Sequence, residues 1–181
     1  MSCGTPQSDD CKPIEEKALA TVAELMCLAA RTAPKARGVD NLVTTIISGE
    51  TKDKVTAKMR DLSSVEGAGF FARDADNVDG VPFAVVIGTR MERMGLSICG
   101  LCGFENCKAN QDAGAVCVFP PNDLGIAVGS AVSVAADHRV DNRVMYTIGM
   151  AALKLGLLGE EVKMAFGIPL SATGKSPFFD R

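Results

Sequence analysis

Four cysteines carry the chemistry that this chain most plainly advertises. Cys99, Cys102 and Cys107 stand in the run Cys-Gly-Leu-Cys-Gly-Phe-Glu-Asn-Cys, and Cys117 follows with nine residues between. Separations of two and four residues let one short loop wrap three thiolates around a single metal centre. Gly100 and Gly103 directly follow two of the cysteines; glycine reaches positive φ without a Cβ clash and lets backbone N–H groups approach the sulfurs. Cys117 would supply the fourth thiolate. We read the stretch 97–117 as an iron–sulfur cluster loop. Two alternatives stay open. Zinc also takes four thiolates, although its structural sites commonly pair two C-x-x-C knuckles and this chain has one. A redox dithiol would need its C-x-x-C at a helix start within a βαβ unit, which the two glycines and the crowding third cysteine oppose.

Other residues could hold an anion. Arg31, Lys35 and Arg37 lie in the segment from Arg31 to Asn41, between a predicted helix and a predicted strand. They are candidates for a phosphate or flavin contact, with solvation or pairing to carboxylates as the plainer explanation. Near the C-terminus, Gly174-Lys175-Ser176 ends like a phosphate-binding P-loop. Six residues separate Gly167 from Gly174 where the motif has four, and Pro177 obstructs a following helix; the motif fails, and Lys175 remains a simple candidate anion contact. The single histidine, His138, and single tyrosine, Tyr146, assemble no nucleophile–base–acid set.

Composition narrows the classes. At 181 residues with 47% hydrophobic content, the chain can bury a full core. A net charge of −3 and the lack of a basic run interleaved with aromatics argue against nucleic acid. The most apolar run, Leu124 to Ala136, is shorter than a bilayer span and broken by glycine and serine, so no membrane span is expected. Residues 1–10 lack the basic flank and apolar core of a secretory signal, which predicts a cytoplasmic protein in which metal binding, and not disulfide formation, explains the wealth of cysteine. Cys3, Cys11 and Cys27 receive no site role, and Cys27 reads as a small apolar core residue.

Around these residues the pattern predicts a tail at 1–12 and one α+β domain over 13–181. A helix opens at Pro13 and ends before Pro34, with Leu19, Val22, Ala23, Met26 and Ala30 on its core face. A strand follows over Leu42 to Ser48, then a charged helix over Glu50 to Leu62 with Val55, Met59 and Leu62 as its stripe. Asp74 to Gly80 reads as a turn-rich connection, and Val81 to Gly88 as a strand without polar alternation, buried on both faces. The cysteine loop thus leaves the end of a rigid strand. It leads to a small-residue helix, Leu124 to Ala136, capped by Asn122 or Asp123. A further helix bears Met145, Ile148, Ala152 and Leu155 and ends at Gly156; the strand Val162 to Ile168 closes the domain.

The cysteine run resembles the four-iron cluster motif Cys-Gly-x-Cys-Gly-x-x-x-Cys, with a later cysteine, of corrinoid iron–sulfur proteins and of electron-transport subunits of anaerobes, which implies a four-iron, four-sulfur (4Fe-4S) cluster. Beyond it, Ala30-Arg-Thr-Ala-Pro-Lys, Gly38-Val-Asp-Asn, Asp123-Leu-Gly-Ile-Ala, Val140-Asp-Asn-Arg-Val-Met-Tyr-Thr-Ile-Gly and Gly167-Ile-Pro-Leu-Ser-Ala-Thr-Gly-Lys resemble a prokaryotic family known only as ferredoxin-domain-containing proteins. That resemblance implies a cluster without an assigned reaction. Ala29 to Asn41 and Ala151 to Leu157 are similar to nitroreductases, which implies a nitroreductase-like α+β sheet packed with helices, a homodimer, and flavin mononucleotide (FMN) between subunits. The expected function is therefore electron transfer to a redox partner protein or a small-molecule acceptor. A flavin-dependent oxidoreductase and a zinc-stabilised, non-catalytic binding module are the alternatives.

Overall fold

The computed structural model describes residues 11–179. Its elements are α1 (Lys12–Thr32), a 3-10 turn (Ala36–Gly38), β1 (Leu42–Ser48), α2 (Gly49–Ser63), α3 (Phe70–Asp79), β2 (Phe83–Arg90), α4 (Cys107–Asp112), α5 (Phe119–Asp137), β3 (Asp141–Asn142), α6 (Tyr146–Lys154) and β4 (Val162–Ser171). The tail expected at 1–12 lies, for its first ten residues, outside the described part, and Lys12 already belongs to α1. No helix among the described residues is long and apolar enough to cross a membrane.

The fold is α+β. Four antiparallel strands lie in the order β1-β2-β4-β3 with helices on both faces. Along β2, Val85 and Ile87 face α1 and α5, in a core with Met26, Leu124 and Ile168. Ala84 and Val86 face α2, α3 and α6, in a core with Val55, Met59, Val78 and Ile148. Cover on both sides is why β2 is apolar without alternation. The same α1 residues picked out by their spacing form its buried face.

At the junction of α6 and β4 the backbones approach so closely that two glycines are required. A Cβ on Gly149 would sit 1.9 Å from the Ala165 carbonyl oxygen, and one on Gly167 would sit 2.1 Å from Ile148 Cγ2.

Two expectations change. The segment expected to be turns is α3: Phe71, Ala75 and Val78 line its buried side. Its acids find partners, because Asp74 accepts from Thr147 Oγ1 at 2.9 Å and Arg60 reaches Asp76 and Asp79 at 2.7 and 2.5 Å. Helix α5 starts earlier than expected, at Phe119, because Pro120 and Pro121 occupy a first turn whose N–H groups need no intrahelical acceptor. Asp123 is therefore no cap. It is buried within α5 and accepts from the Ala36 N–H at 3.1 Å.

Candidate metal centre

Strand β2 delivers the chain to the cysteine segment. At its end the Arg90 N–H donates to the Asn41 carbonyl at 3.0 Å, and irregular chain then runs to Cys107, the first residue of α4. Asn106 fixes the start of that short helix, its Oδ1 accepting from the Ala109 N–H at 2.9 Å. The path through the first two cysteines depends on glycine. Gly100 and Gly103 take φ of 151° and 84°, a region that side chains with a Cβ rarely adopt, and the Gly103 N–H closes a turn onto the Gly100 carbonyl at 2.9 Å.

The result is convergence. Cys99, Cys102, Cys107 and Cys117 all line one small pocket, whose remaining wall is mostly Met94, Leu96, Val118 and Phe119. All four are free thiols; the first three are half-buried and Cys117 is buried. The Cys107 Sγ lies 3.8 Å from the Leu96 carbonyl oxygen. Among the described residues, no three histidine, cysteine or acidic side chains gather at the spacing of a single-ion site. The thiols share a wall and do not crowd onto a point. Four soft thiolate donors in an apolar enclosure are the ligand chemistry of an iron–sulfur cluster.

Two arginines hold this insert in place. Arg93 Nε donates to Asn110 Oδ1 at 2.9 Å and its Nη2 to the Ala115 carbonyl at 2.9 Å. Asn110, only 1% exposed, passes the connection on from Nδ2 to the Val116 carbonyl at 3.1 Å. Arg37 Nη1 donates to the Met94 carbonyl at 2.8 Å, and Arg37 itself has φ of 56°. Reading the sequence missed Arg93 and Asn110, whose only sequence signal is a position just before the cysteine segment and within it, respectively.

The proposed anion contacts have partners within the chain. Arg31 is paired with Asp40 and donates to the Leu42 carbonyl at 3.0 Å. Burial pushes the Asp40 carboxyl up, but the Arg31 guanidinium and the Leu42 N–H outweigh it and hold the group below its ordinary range. Lys35 Nζ donates to the carbonyls of Ala30, Arg31 and Ala33 at 3.2, 2.6 and 2.8 Å, closing the end of α1. Arg37 brings this loop against the root of the insert. Lys175 follows Ser171, at the sheet end opposite Arg90, because Phe83 pairs with Leu170 while Arg90 pairs with Val162. Burial raises the pKa of the Cys27 thiol, which lies on α1 and packs against the core.

Comparison with known proteins places these features. Residues 113–181 match the model of a family described as uncharacterized proteins containing a ferredoxin domain; the matched part includes Cys117 and begins after the other three cysteines. An uncharacterized protein of Archaeoglobus fulgidus is 40% identical over 178 residues, covering 94% of this chain and 95% of its own. A nitroreductase with bound FMN from Desulfitobacterium hafniense superposes with a TM-score of 0.57 at 15% identity, over 99% of this chain and 86% of that one. A putative NADH dehydrogenase/NAD(P)H nitroreductase from Bacteroides thetaiotaomicron gives 0.55 at 13% identity, over 89% and 79%. The chain therefore belongs to the family of uncharacterized proteins containing a ferredoxin domain, and it has the nitroreductase fold.

Proposed function

We propose that this protein is an electron-transfer protein in which Cys99, Cys102, Cys107 and Cys117 hold a 4Fe-4S cluster. The observation that carries the reading is the presence of all four thiols in the wall of one apolar pocket, from a loop, a helix start and the irregular link between α4 and α5. When bound, the cluster supplies reversible one-electron chemistry. The chain's own part is to present four thiolates, to exclude water with Met94, Leu96 and Phe119, and to hold the insert with Arg37 and Arg93. Arg93 also lines the cavity, placing a permanent cation beside a group whose net charge is negative. Ferredoxin-domain membership supports the same reading. Anaerobic purification with iron, sulfide and visible-absorption analysis tests it: iron with acid-labile sulfide is expected, and a colourless protein with stoichiometric zinc overturns it in favour of a zinc-stabilised binding module.

The fold favours a second reading, a flavin-dependent oxidoreductase, because the Desulfitobacterium hafniense relative holds FMN. Its contacts in this chain would be Arg31, Lys35 and Arg37, while Lys175 stands at the other end of the sheet and could serve only a separate anion. Arg31 and Lys35 would have to give up the Asp40 carboxylate and the α1 carbonyls to reach a phosphate. A yellow chromophore released on denaturation would promote this reading over the first. Under either reading we place the protein in the cytoplasm as a homodimer. The outward face of α5, with Gly125, Ile126 and Gly129, offers a surface that a second helix can approach closely.

A further inference from the structure

Several arginines of this fold are neutralised by the groups that hold them. Arg31 pairs with Asp40, Arg60 with Asp76 and Asp79, Arg73 with Asp74 and Arg90 with Glu161. Arg93 is held differently. Its Nε donates to Asn110 Oδ1 and its Nη2 to the Ala115 carbonyl, each at 2.9 Å, and both acceptors are neutral. Among the described residues it forms no ion pair, so its positive charge is unmatched.

That charge belongs to the wall of the cysteine pocket. Arg93 and Asn110 line it with the four cysteines, and apart from the thiols Arg93 is the sole ionisable member of the wall among the described residues. Asn110 is 1% exposed, and a carboxylate of nearly the same shape in its place would give Arg93 the same hydrogen bond while cancelling its charge. The amide anchors the guanidinium and leaves its charge to act on the pocket.

We infer that Arg93, anchored by the Asn110 amide, raises the reduction potential of this centre. The inference rests on the cluster reading. Each electron accepted there adds one negative charge to a group that is already negative, and a cation in the wall stabilises the reduced form over the oxidised one. The guanidinium keeps its proton throughout, so it offsets the added charge without proton transfer. Arg93 as a whole residue is exposed, and solvent screening keeps the effect moderate. The protein therefore accepts electrons from weaker reductants than the same four thiolates would without Arg93.

Iron and acid-labile sulfide of the wild type are measured first, anaerobically; their absence overturns the cluster reading and this inference with it, whereas the outcomes below bear on Arg93 alone. The cluster-loaded proteins are then titrated with dithionite in the presence of redox mediators, and the midpoint is read from the visible absorption. Arg93→Gln is expected to weaken one-electron reduction roughly tenfold, a midpoint about 59 mV lower. Arg93→Lys keeps the charge without the planar fork and should restore most of the wild-type value. Asn110→Asp keeps an acceptor for Arg93 Nε and adds the cancelling carboxylate, so its midpoint should fall in the same direction as that of Arg93→Gln. An Arg93→Gln midpoint within about twofold of wild type, about 18 mV, would overturn the inference. So would an Arg93→Lys midpoint as low as that of Arg93→Gln, the mark of a purely structural arginine. Where Arg93→Gln fails to hold iron, Asn110→Asp decides: a lowered midpoint supports the inference and an unchanged one overturns it.

Discussion

The guanidinium of Arg93 donates to Asn110 Oδ1 across the width of the cysteine insert, at 2.9 Å, and Asn110 in turn donates to the Val116 carbonyl beside Cys117. One buried amide thus joins the arm before the first cysteine, the helix after Cys107 and the segment leading to Cys117. Asn110→Ala leaves Arg93 Nε and the Val116 carbonyl without partners, at a cost of about 1–3 kcal/mol. The expected outcome is faster bleaching of the visible absorption under air than in the wild type, and a lower urea midpoint. Equal bleaching rates would mean that this bond does not hold the site together.

Arg37 is anchored by its side chain and strained by its backbone. Its φ of 56° suits glycine, while its guanidinium holds the Met94 carbonyl. Arg37→Gly should therefore leave global stability within about 1 kcal/mol, since relief of the backbone offsets the lost bond. The loss should appear locally, as faster amide exchange of residues 91–96 by mass spectrometry. If exchange there is unchanged, the basic loop does not position the insert.

The Arg31–Asp40 pair gives a pH dependence of known sign. The Asp40 carboxyl is held below its ordinary value, so its contribution is fully present above the unfolded-state pKa and is lost as pH falls through the folded one. Both side chains are substantially exposed, at 45% and 34%, which limits the effect to about 1 kcal/mol or less. Urea midpoints of wild type and Asp40→Asn should differ at neutral pH and converge in acid. A difference that persists once carboxylates are protonated would assign the effect to something other than this charge.

At the contact of α6 with β4, Gly149→Ala would drive a methyl into the Ala165 carbonyl, since the Cβ position is 1.9 Å from that oxygen. Backbone on both sides must separate, and we expect a loss of about 3 kcal/mol or more. Thermal and urea denaturation read it directly; a loss below about 1 kcal/mol would show that the helix shifts freely.

Much of this was legible in the chain itself where one residue's environment follows from its spacing. The five buried positions of α1 and the bounds of β1 needed only periodicity and turn residues. Helix α3 was not legible. Its acids suggest a polar turn until Thr147 and Arg60, distant in sequence, are brought against Asp74, Asp76 and Asp79. The site divides the same way. The cysteines announce themselves by type and spacing, whereas Arg93 and Asn110 acquire a role only when folding brings them together. Arg31 and Lys35 looked equally available for a phosphate until Asp40 and the carbonyls at the end of α1 supplied their partners.

The central claim is that four thiolates hold one cluster, and Cys117 is the member that stands apart in sequence. Iron and acid-labile sulfide per chain should be measured anaerobically for the wild type, Cys117→Ser and Cys27→Ser. The account predicts about four of each in the wild type and in Cys27→Ser, with substantial loss in Cys117→Ser. Iron content unchanged by Cys117→Ser, or zinc in place of iron in the wild type, would contradict it.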